Sequence, residues 1–266
     1  MKLWIVIFLY AASSHVNASE DSAAHALNIG DFERARALGR AAETAHGFTV
    51  ACRAGMLIGG YQESGSAAVR SLHDAISDCR HAVTLDPQNI DARITLAIGV
   101  GFEGKRFKKP SLAKKSRKLL EQIYKDFPNQ PAAHAAIGGW HSEVSAAGFL
   151  ARVYLGASRS KAKQYFAEAV MMGETGLPFM LEYLKLLARG GTKDRQQGAA
   201  LVEQHMRKPA ITAINRLIQD KTKPIIKALK SKDKKAIKKA IAAATAFNGI
   251  EAWRDIAPLN LDSIEP

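Results

Sequence analysis

Residues 75–87 read Ala-Ile-Ser-Asp-Cys-Arg-His-Ala-Val-Thr-Leu-Asp-Pro. Small side chains stand at Ala75, Cys79 and Ala82, four and then three apart, with Pro87 five further on. That spacing lines the three up along one side of a helix, and the proline stops it. A stripe of small side chains lets a second helix approach closely. The spacing returns at Ser116, Leu120, Ile123 and Pro128, and again at Ala162, Phe166 and Ala169, where Glu174 takes the proline's place. Weaker copies run through Ala35, Gly39 and Ala42, and through Ala199, Glu203 and Met206. A recurring helical unit predicts an all-α chain, an α-solenoid of stacked helical hairpins. The chain has 266 residues and is 47% hydrophobic, which suffices for a sizeable core. Only 7% of residues are aromatic, in keeping with close helix packing rather than sheets.

This pattern resembles the second helix of a tetratricopeptide repeat. His134, Ile137, Gly138 and His141 occupy the spacing of that family's first-helix signature, W-x2-L-G-x2-Y. Gly30-Asp31-Phe32-Glu33-Arg34-Ala35 looks like its inter-helix turn, and Leu85-Asp86-Pro87-Gln88-Asn89 like its inter-repeat turn. The copies start at residues 35, 75, 116, 162 and 199, so every interval exceeds the family's usual period. The resemblance therefore implies degenerate repeats with longer helices or inserted loops. The block Gly138–Val144, with Arg152 and Tyr154–Ser158, looks like a repeat of the regulator-of-microtubule-dynamics type and like exported bacterial tetratricopeptide proteins. The implied fold is TPR-like across residues 19–206. Residues 207–257 are expected to form basic amphipathic helices that cap the last repeat, and 258–266 an irregular tail.

The N-terminus reads as a signal peptide. Lys2 is followed by the uncharged run Leu3 to Ala12, and Val16 and Ala18 stand in the small-residue positions of a cleavage site. Cleavage is expected after Ala18, which would make the mature chain periplasmic or secreted. In an oxidising compartment Cys52 and Cys79 are expected to pair, the alternative being two buried thiols.

The formal charge of +13 is concentrated. Residues 105–118 hold eight Lys or Arg and no acid, including Lys105, Arg106, Lys108 and Lys109. Residues 207–239 hold twelve against Asp220 and Asp233, including Lys234, Lys235, Lys238 and Lys239. These segments are read as solvated helix faces or as contacts for an anionic partner, such as a lipid surface. Nucleic acid is not expected, because the basic runs lack interleaved aromatics and no helix-turn-helix, RRM or zinc-finger pattern occurs.

Catalytic motifs are absent from the sequence: there is no P-loop, no G-x-S-x-G elbow and no H-E-x-x-H. No enzyme activity, cofactor or metal is expected. His73, Asp74, Asp78 and His81 share a helical region, but their offsets spread them around it, and they are read as solvated polar positions. The better cluster is Trp140, His141, Glu143 and Arg152. Either it contacts a ligand, or Trp140 and His141 pack the core while Glu143 and Arg152 pair. With Arg93 and Phe102 these residues are the candidate partner-binding set. The expected function is a non-catalytic scaffold for a protein or peptide partner. The alternative is a small-molecule or lipid carrier, with room for the ligand at Gly55, Gly59, Gly60, Gly99, Gly101, Gly138 and Gly139.

Overall fold

The computed structural model describes residues 19–207 and 209–264. The expected signal peptide, residues 1–18, lies outside them. Among the described residues the chain is all-α, with thirteen α-helices and no strand. None of these helices is long and apolar enough to cross a membrane. The chain divides into two units. One holds the described residues up to Phe107 together with Gly249–Asn260, and the other runs from Lys108 to Asn248 and resumes at Leu261.

The first unit begins with α1 over 19–29. It continues with α2 (Phe32–Ala41), α3 (Ala45–Leu57), α4 (Gly65–Leu85) and α5 (Ile90–Phe107). Asp31 caps α2 by accepting the Arg34 N–H, and Thr44 caps α3 by accepting the Gly47 N–H. Each helix packs chiefly on its neighbour in sequence. Glycine sets the closest approach: a Cβ at Gly39 would strike the Gly47 carbonyl, and one at Gly47 the Gly39 carbonyl. A Cβ at Gly55 would lie 3.0 Å from Ala75, and one at Gly99 2.7 Å from Ile76. These glycines hold helices together; the room that a carrier reading would place at Gly55 and Gly99 is filled. Cys52 on α3 and Cys79 on α4 are joined as a disulfide, with Cα atoms 5.2 Å apart.

The second unit comprises α6 (Pro110–Asp126), α7 (Pro131–Ala146), α8 (Phe149–Leu155), α9 (Arg159–Met171), α10 (Leu177–Ala188), α11 (Thr192–Met206), α12 (Ala213–Ser231) and α13 (Lys234–Ala244). Helix α7 packs past the short α8 onto α9, where Gly138 meets Phe166 and Tyr165. Phe166, wholly buried, joins Phe179 and Tyr183 of α10, with ring centroids 5.6 and 5.1 Å away. Nearly every residue of α10 is buried, and it contacts α7, α9, α11 and α12. The amphipathic pair expected near the C-terminus is α12 and α13, which bury Ile225, Leu229, Ile237, Ala240 and Ile241.

The recurring stripe lands inside. Ala35, Gly39 and Ala42, then Ala75, Cys79 and Ala82, Ser116, Leu120 and Ile123, and Ala162, Phe166 and Ala169 are all buried. The fifth copy needs correction. Ala199, Glu203 and Met206 are only half-buried, whereas Gly198 and Val202 are buried. A Cβ at Gly198 would sit 3.0 Å from Leu187 of α10. The stripe on α11 is thus shifted by one residue, because a glycine suits the crossing with α10 better than the alanine beside it.

Candidate functional site

The four residues of the Trp140 cluster part company. Trp140 is buried and donates its indole N–H to the Ala113 carbonyl on α6 (3.1 Å). His141 is buried beside it, stacked on Tyr165 with centroids 5.8 Å apart, and its Nδ1 accepts the Ser158 N–H (3.3 Å). Desolvation, helped by Arg117 and Lys161, pulls the His141 pKa down from 6.5 to about 4, so the ring is neutral near pH 7. It serves as an acceptor that orients Ser158, itself the N-cap of α9.

Glu143 points to α10. It accepts from Arg189 (2.8 Å) and lies 3.3 Å from Lys185, which also binds Glu182 (2.9 Å). Lys185 is almost fully buried. Desolvation pulls its pKa down, but Glu182 and Glu143 outweigh that and leave it raised. Arg152 is exposed on α8, with its guanidinium 5.3 Å from the Phe149 ring centroid. Of the two alternatives for these residues, the structure turns Glu143 to Arg189 and Lys185 of the α10 region and Arg152 to Phe149 on its own helix.

The basic set divides as well. Arg106 is not a surface contact: it is wholly buried. It donates to Glu103 on its own helix (2.7 Å) and to the carbonyls of Trp253 (3.1 Å), Ile256 (2.8 Å) and Ala257 (3.1 Å). Glu103 in turn accepts the Leu259 N–H (3.0 Å) and faces His73 (3.2 Å). Burial alone would raise the Glu103 pKa, but His73, Arg106 and the Leu259 N–H outweigh it and hold the carboxyl at about 2. A buried ion pair is tolerated only when its donors and acceptors are satisfied. The segment 249–260 provides that here, a partner invisible in the local sequence around Arg106. Lys105 lies 3.4 Å from Glu251. Lys108, Lys109, Lys234, Lys235, Lys238 and Lys239 are exposed.

The polar residues of α4 take separate partners. Asp78 is held by Arg40 of α2 (2.8 Å), Asp74 lies 3.5 Å from Arg40, and His81 packs on Phe48. Among the described residues no group of three His, Cys, Asp or Glu is placed to hold a metal.

Among the described residues, a strip on α5 and a face on α8 are open to a partner. On α5, Ile94, Ile98, Gly101 and Lys105 recur at helical spacing and are at least partly exposed, with Arg93 and Phe102 half-buried alongside. On the second unit, α8 buries none of its side chains, and a cleft of about 350 Å³ runs between it and α6. Lys114, Arg117, Lys118 and Glu121 line one wall, and Val153, Tyr154, Leu155 and Gly156 the other. Pieces of both walls, the basic run 105–118 and Tyr154–Ser158, stand out in the sequence, but nothing there joins them. The missed signal was Phe149-Leu150-Ala151-Arg152-Val153-Tyr154, an apolar run between two glycines beside a basic helix.

No protein-family model matches the chain, and no curated protein matches it. Any functional reading therefore rests on the arrangement just described.

Proposed function

We propose that this protein is an exported, non-catalytic scaffold of tetratricopeptide-like repeats that holds a peptide or protein partner. The observation that carries this reading is the agreement between sequence period and packing. The stripes starting at 35, 75, 116 and 162 are buried on α2, α4, α6 and α9, and within the units α4 packs on the preceding α3 and α9 on α7. Repeats of that kind bury their second helices and leave a face of the first helices for a partner. The strip of Ile94, Ile98 and Gly101 on α5, flanked by Arg93 and Phe102, is such a face and is the proposed contact. The buried disulfide between α3 and α4 suits an oxidising compartment.

Native mass spectrometry of the protein purified gently from its own compartment tests the proposal. A complex carrying the additional mass of a polypeptide is expected. Ile98→Glu should weaken that complex by about tenfold or more, the loss of one well-placed apolar anchor. A stoichiometric extra mass of only a few hundred daltons would replace the scaffold by a small-molecule carrier. Capture that is indifferent to Ile98→Glu would move the contact off α5.

A further inference from the structure

We infer that α8 is a membrane-interface foot: it seats Phe149, Leu150, Val153 and Tyr154 in the surface of an anionic phospholipid bilayer. The four side chains stand at positions i, i+1, i+4 and i+5, which is one side of a helix. Their exposures are 67%, 81%, 62% and 64%, unusual for large apolar groups and contiguous on one element. Met171, Met172 and Ile211 are also exposed in this unit, but they lie singly or in a pair at helix ends and loops, whereas α8 presents four such side chains on one helix and buries none.

The helix is held in that exposed place by its ends. Gly148 and Gly156 enter and leave it at φ 124° and 65°, and Arg117 of α6 donates to the Leu155 carbonyl (3.1 Å). Cations surround the apolar side. Lys114 sits 4.2 Å from the Tyr154 ring centroid, Arg152 covers Phe149, and Lys118 is exposed on the cleft wall. The acid in that cleft, Glu121, is engaged by Arg117 at 2.7 Å. No acid occurs between Val144 and Tyr165, and none between Lys105 and Leu120.

Charge complementarity identifies the occupant. An anionic bilayer offers an acyl boundary and, a few ångströms above it, a layer of phosphates. Apolar side chains ringed by Lys and Arg match both layers at once. A protruding helix also needs no preformed groove opposite, which a folded protein partner would have to provide. The α5 strip belongs to the other unit and shares no residue with α8, so variants test a membrane contact and a partner contact independently.

The test is co-sedimentation of the purified protein with two kinds of vesicle, phosphatidylcholine alone and phosphatidylcholine containing phosphatidylglycerol. Binding to the second kind is expected, weakening as salt is raised. Leu150→Gln with Val153→Gln should reduce it by about tenfold or more, since each buried apolar side chain contributes strongly to partitioning. Replacing Lys234, Lys235, Lys238 and Lys239 with Gln should leave it within about twofold, because α13 takes no part in the contact. Both wild-type side chains are exposed, so the double variant keeps its melting temperature. A second readout is a dye on Leu150→Cys, the only free thiol among the described residues once Cys52 and Cys79 are bonded. Its emission should shift to the blue on anionic vesicles. Equal binding by wild type and the Leu150→Gln/Val153→Gln variant, or an unmoved dye, would overturn the proposal. So would a dimer that the double variant dissociates while vesicles capture nothing, which would assign the face to a second copy of this chain.

Discussion

A neutral imidazole buried in α7 makes mild acid a probe of this fold. The His141 pKa is about 4 in the folded chain and 6.5 when free, so between those values the unfolded chain takes up a proton that the folded chain refuses. Stability should therefore fall as the pH drops from 6.5 toward 4, by at most about 3 kcal/mol. Glu103 acts lower down. Its contribution is present above 4.5 and is lost as the pH falls toward 2. His141→Gln should flatten the dependence of melting temperature on pH between 6.5 and 4.5 and leave the steeper loss below it. An unchanged slope in that variant would remove His141 from the account. Arg106 is the other decisive residue. Arg106→Met leaves the Glu103 carboxylate buried without its main cation, at a cost of about 3–5 kcal/mol, measurable by urea denaturation.

At the scale of elements, glycines with similar sequence surroundings should respond in opposite directions. Gly39→Ala places a methyl against the Gly47 carbonyl, a backbone atom that cannot swing aside, and should destabilise the α2–α3 crossing by about 1–3 kcal/mol. Gly139 faces open space on α7, so Gly139→Ala should stabilise by about 0.5–1 kcal/mol through helix propensity. Thermal melts of the two variants check both signs. The disulfide closes a loop across 27 positions between α3 and α4, and its reduction should cost about 3–4 kcal/mol in the chain-entropy description. Melting with and without reductant measures it directly.

For the whole molecule, the return of the chain to its first unit matters most. Gly249–Asn260 supplies the carbonyls that satisfy Arg106 and the N–H that satisfies Glu103, and Ile250 is fully buried there. Ile250→Ala should cost about 2–4 kcal/mol. Hydrogen exchange should locate the loss in α4 and α5 and spare α9 and α10, which belong to the other unit. Equal loss of protection in both units would show that they unfold together.

Short-range spacing was enough to find the helices that carry the recurring stripe, because a helix repeats every few residues and its buried side needs small or apolar groups at fixed offsets. The stripes at Ala75, Ser116 and Ala162 and the amphipathic pair α12 and α13 were legible on that ground, whereas the caps at Asp31 and Thr44 emerged only with the structure. The stripe on α11 was misread by one position, since Ala199 and Gly198 are both small and only the crossing with Leu187 distinguishes them. Pairing of charged groups was decided by tertiary structure alone. Arg106 looked like part of an exposed basic run, but beyond Glu103 on its own helix its acceptors are carbonyls some 150 positions away in the chain. Glu143 found Arg189 and Lys185 across a helix contact. The exposure of α8 was hidden for the same reason: an apolar run looks alike in sequence whether it is covered or bare, and only the packing of α6, α7 and α9 leaves this one uncovered.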